Sequence, residues 1–88
     1  MPFEATVVVA GPAAEVRSLI RYADARVNEI DDATCRVLIR SESRPWLTTV
    51  IALIAGEFGV AVEDPADLVP EVKRLGARLR AVAPTSAR

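Results

Sequence analysis

At 88 residues the chain is long enough for one small domain and no more. Hydrophobic residues make up 51% of it, and the mean hydropathy is positive, which excludes a disordered charged tail. Eleven basic against twelve acidic side chains leave a net charge of −1, too little for this chain alone to hold duplex DNA by bulk charge.

Taken in chain order, Phe3–Val9 alternates, with Phe3, Ala5, Val7 and Val9 on one side, the pattern of a strand with one buried face. Gly11-Pro12 breaks it, and Pro12 suits the first turn of a helix whose apolar face is Val16, Leu19, Ile20 and Ala23. Arg26–Ile30 is a short strand. Asp31-Asp32-Ala33-Thr34 is a turn, because Asp side chains accept hydrogen bonds from their own backbone there. Cys35–Ser41 alternates again, with Cys35, Val37 and Ile39 on one face and Arg36, Leu38 and Arg40 on the other. The two strands form a hairpin.

Ser43-Arg-Pro-Trp46 opens the second helix, with Ser43 or Arg44 near the cap and Pro45 in the first turn. Leu47, Val50, Ile51, Ile54 and Phe58 make its broad apolar face, widened by Trp46 and Leu53, and it is the most buried helix expected. Gly59 is placed to end it. Val60–Val62 is a fourth strand, closed by Glu63-Asp-Pro65. The last helix carries Leu68, Val72, Leu75, Leu79 and Val82 in one stripe, with Pro70 confined to the first turn. Acidic residues near its start and Lys73, Arg74, Arg78 and Arg80 further on complement the helix dipole.

This order predicts an α+β fold: a ferredoxin-like βαββαβ antiparallel sheet, first and third strands central, with an additional C-terminal helix. Residues 1–83 form the single domain and 84–88 a flexible tail. The longest apolar stretch, Trp46–Ala55, is about half of what a membrane-spanning helix needs, and no signal peptide is evident. One cysteine and no internal disulfide fit the cytoplasm.

The total absence of histidine removes the commonest general base and the commonest metal ligand together. Turn chemistry accounts for the adjacent carboxylates Asp31-Asp32 and Glu63-Asp64, so no catalytic pair and no metal site is expected. Cys35 alternates with core residues and lacks a His partner, so it reads as a small buried hydrophobe. Gly11, Gly56, Gly59 and Gly76 are isolated and form no phosphate loop. No cofactor is expected, and the chain reads as a non-enzyme.

Two binding features stand out. Arg36, Leu38 and Arg40 share the non-core face of a central strand. They either bind a carboxylate or phosphate through paired guanidinium N–H groups or form a solvated face with Glu4 as cross-strand partner. Arg17 with Arg21, and Arg74 with Arg78, read as solvated helix faces, and Trp46 as core. The five aliphatic residues Leu68, Val72, Leu75, Leu79 and Val82 cannot all stay wet, since each is worth roughly 1.5–3 kcal/mol when buried. They pack on their own domain or on a second copy, and a homodimer is favoured.

Trp46-Leu47 opening an apolar helix, then Gly59, the Val60 and Val62 strand, and Pro65-Ala-Asp-Leu68 entering a charged helix together resemble the C-terminal extension of bacterial WYL-domain transcription regulators. The resemblance spans nearly the whole chain and rests on structural motifs. It implies a regulatory, oligomerising and effector-sensing module, homodimeric, joined in a longer parent chain to WYL and helix-turn-helix domains. The effector would be a small anion or a nucleic acid. The alternative is a free-standing ferredoxin-like small-ligand-binding domain.

Overall fold

The structure, a computed structural model, describes residues 2–85. Its elements run β1 (Phe3–Ala10), α1 (Ala13–Leu19), β2 (Asp24–Asp31), β3 (Thr34–Ser41), α2 (Arg44–Ala55), β4 (Gly59–Asp64) and α3 (Leu68–Arg80). The sheet is antiparallel throughout, in the order β2-β3-β1-β4, so the first and third strands are central as the pattern demands. This is the ferredoxin-like α+β fold with one extra helix. Of the tail expected at 84–88, Pro84 and Thr85 are exposed and in no regular element, and residues 86–88 lie outside the described residues.

Alternation sorts the strands into two faces. Ala5, Val7, Val9, Cys35, Val37 and Ile39 are buried on one, where Val16 and Ile20 from the first helical segment, Leu47, Val50, Ile51 and Ile54 from α2, and Leu68 from α3 meet them in a single cluster. The opposite face carries Glu4, Thr6, Val8, Arg36, Leu38 and Arg40, and α3 does not cover it; that helix packs on α2 and the rim of β4.

Local chemistry sets the element ends. Asp31 Oδ1 accepts from the Ala33 backbone N–H at 2.9 Å and tightens the β2–β3 turn. Ser43 caps α2 by accepting from the Trp46 N–H at 3.2 Å, with Pro45 in the first turn. Several boundaries differ from the sequence expectation. α1 stops at Leu19, yet Ile20 is buried and Ala23 is packed against the core from the turn that follows. β2 extends past Arg26–Ile30 at both ends. α2 ends at Ala55 with Gly56 as its cap, whereas Gly59 opens β4: the N–H groups of Glu57 and Phe58 fold back onto the Ile54 carbonyl, at 3.0 and 2.9 Å. That reversal lays the Phe58 ring against Gly11, where an added Cβ would lie within 3.0 Å of three ring carbons.

Trp46 is 51% exposed and so is not a core residue. The buried stripe of α2 is Leu47, Val50, Ile51 and Ile54, spaced for one helical face; Trp46 and Leu53, seven apart, fall on its flank.

Candidate functional site

Arg36, Leu38 and Arg40 stand side by side on the open sheet face, as their alternation requires, and Leu38 is half-buried between them. Both guanidinium groups are occupied. Arg40 faces Glu4 directly across the β3–β1 register, with Nε 3.1 Å from Oε2. Arg36 reaches across β1 to Glu63 in β4 and donates twice, Nε to Oε1 at 2.9 Å and Nη2 to Oε2 at 3.1 Å. This hydrogen bonding holds the Glu63 carboxyl below its ordinary pKa range and raises that of Arg36. An anion arriving at Arg36 or Arg40 would displace a carboxylate already in place.

The Glu4 pairing follows from strand alternation alone. The Glu63 pairing does not. Its sequence neighbours suggest a turn at Glu63, but the residue lies in β4, and its link to Arg36 needs the β1–β4 register, which joins Val8 to Ala61.

The stripe on α3 divides along its length. Leu68 is fully buried in its own core, which removes it from the dimer surface expected for the stripe. Val72 packs against that core and Leu75 is half-buried. Leu79 stays 55% exposed, and Val82, expected on this helix, lies beyond its end at Arg80 and is 75% exposed.

A second ionic cluster binds α3 to α2. The Arg44 side chain donates through Nε to both Glu71 oxygens, at 3.1 and 2.8 Å, and its Nη2 lies 2.6 Å from Glu71 Oε2 and 3.4 Å from Asp67 Oδ1. The hydrogen bonds from Arg44 pull the Glu71 pKa down, and nearby Arg74 adds to this. The sequence offers Arg44 as a cap residue and gives no sign of its pairing with Glu71. Twenty-seven residues separate them, so no helical spacing connects the two.

The remaining candidates behave as structural groups. Cys35 is fully buried, and burial pushes its thiol pKa up despite the positive charge of Arg17. Arg17 donates to the Val27 carbonyl at 3.1 Å, fastening α1 to β2, and Arg21 lies 5.0 Å from the centre of the Tyr22 ring. Among the described residues no three Asp, Glu or Cys side chains converge as a metal site, and no helix is long and apolar enough to cross a membrane. Comparison with protein-family profiles, with curated proteins and with solved structures finds no match to this chain.

Proposed function

We propose that the chain is a non-catalytic regulatory and oligomerisation module of a bacterial WYL-type transcription regulator, with effector sensing as its second role. The observation that carries this reading is the unit built by the motif-bearing half. The Trp46-Leu47 helix, β4 and the Pro65-Ala-Asp-Leu68 entry into α3 pack consecutively, and they leave Leu79 near the end of α3, and Val82 just past it, exposed. Two uncovered aliphatic side chains, one on a basic helix and one just past its end, suit contact with a second copy, and a twofold module suits the symmetric half-sites that helix-turn-helix dimers read.

Sedimentation equilibrium tests the self-association. A dimer at high micromolar concentration, reduced to a monomer by Leu79→Asp with no change in melting temperature at dilute concentration, is the expected result. A wild-type monomer under those conditions refutes it. An immunoblot of the source cells tests the regulatory assignment, which requires a polypeptide several times longer than 88 residues. A band at the size of this chain alone would instead select the free-standing ligand-binding domain, a reading favoured by the cleft between α2 and α3.

A further inference from the structure

The cleft between α2 and α3 has a volume of about 580 Å³, within the range of small-molecule sites. Pro45, Thr48 and Thr49 of α2 form one wall, and Glu71, Arg74, Leu75 and Arg78 of α3 the other. Arg74 and Arg78 are four residues apart and so lie on one side of their helix. Arg44 takes both oxygens of Glu71, which spends the only carboxylate that lines the cleft among the described residues. Among the described residues no carboxylate lies within 4.0 Å of Arg74 or Arg78. The cleft therefore holds positive charge in excess, beside the apolar surfaces of Leu75 and Pro45. Arg36 and Arg40 on the open sheet face present the reverse condition, each with its own glutamate in place.

We infer that the α2–α3 cleft binds an organic anion, its carboxylate, phosphate or sulfonate head taken by Arg74 and Arg78 and its apolar body lying along Leu75 and Pro45. Guanidinium forks match the paired oxygens of such heads, and no internal ion pair has to be broken to admit one. The site is independent of the regulatory assignment, since it rests only on the geometry of the two helices.

Anilinonaphthalene sulfonate, an aromatic body with one sulfonate, is the probe. Fluorescence titration of the folded chain should give saturable one-to-one binding. Arg74→Ala with Arg78→Ala should weaken it by at least about tenfold, since two charge-assisted contacts are lost. Arg36→Ala with Arg40→Ala should leave it unchanged. N-phenylnaphthylamine, the same body without the sulfonate, should fail to compete. Both arginines being exposed, the double variant should melt within a few degrees of the parent. Should that variant unfold, Arg74→Lys with Arg78→Lys replaces it, keeping the charge and losing the fork, with weaker binding expected. Absence of binding, full retention in the variant that lacks Arg74 and Arg78, or equal competition by the neutral body overturns the inference.

Discussion

Gly11→Ala tests whether the approach of Phe58 to the β1–α1 turn holds that corner together. The backbone of Gly11 is not in the left-handed region, so alanine meets no torsional penalty there. The whole cost comes from the new methyl, which would fall within 3.0 Å of the Cδ1, Cε1 and Cγ atoms of Phe58. Cγ is the root of the ring, so rotating the ring in place gives little relief. Either the core corner is overpacked, at about 1–3 kcal/mol, or the half-buried ring swings into water and forfeits part of the roughly 1.5–3 kcal/mol that a fully buried phenylalanine contributes. The cheaper route sets the outcome, so a loss of about 1–2 kcal/mol is expected, or a fall of roughly 4–16 °C in melting temperature for a domain of this size. Thermal melting of the four proteins of a double-mutant cycle is the assay. In the Phe58→Ala background the clash is gone, and Gly11→Ala should be neutral or stabilising by up to about 1 kcal/mol through the unfolded chain. Equal destabilisation in both backgrounds would show that the ring is not the cause.

Leu68→Ala should cost about 2–5 kcal/mol in urea denaturation, because the fully buried side chain is the anchor of α3, whereas Leu79→Ala at dilute concentration should stay within about 0.5 kcal/mol. Similar losses for the two would refute the division of the stripe. Acid should destabilise the fold through Glu63 and Glu71. Their pKa values are lowered in the folded state, so their contribution is full above the ordinary carboxylate range near about 4.3 and is lost as pH falls through the folded values. Melting temperature should therefore drop in that window, less steeply in Glu71→Gln; an unchanged slope in that variant would remove the Arg44 pair from the cause.

Period-two and period-3.6 patterns made the strands, the α2 core stripe and the sheet order legible, since burying one face leaves few alternatives for Val7, Val37 or Ile51. The features that stayed hidden depend on who meets whom across long stretches of chain. Nothing in the local sequence pairs Arg36 with Glu63 over β1, or Arg44 with Glu71 across the helix layer. Trp46 looked like core because its chemistry is apolar, but helical phase, not side-chain character, sets which flank faces water. Gly59 looked like a helix end because glycine usually is one; the fold-back onto Ile54 had already ended the helix at Gly56. The open-face arginines were placed correctly by alternation, while the arginine-lined cleft required knowing that α3 lies against α2.

The central position of β1 constrains the order in which the molecule can be assembled. Its partners are β3 on one side and β4 on the other, and Val8 finds Ala61 only after four intervening elements have been made. During synthesis the first strand emerges early with an apolar face and no sheet to join. The β2–β3 hairpin supplies the local pairing that can form first, and β1 then docks beside β3. Closure waits for β4, the element whose arrival also swings Phe58 onto Gly11 and brings Glu63 within reach of Arg36. Long-range pairing of this kind pays its loop-closure entropy before its contacts form, so a nascent copy halted before residue 59 carries one edge of a central strand unpaired, an invitation to intermolecular pairing that the finished sheet withdraws.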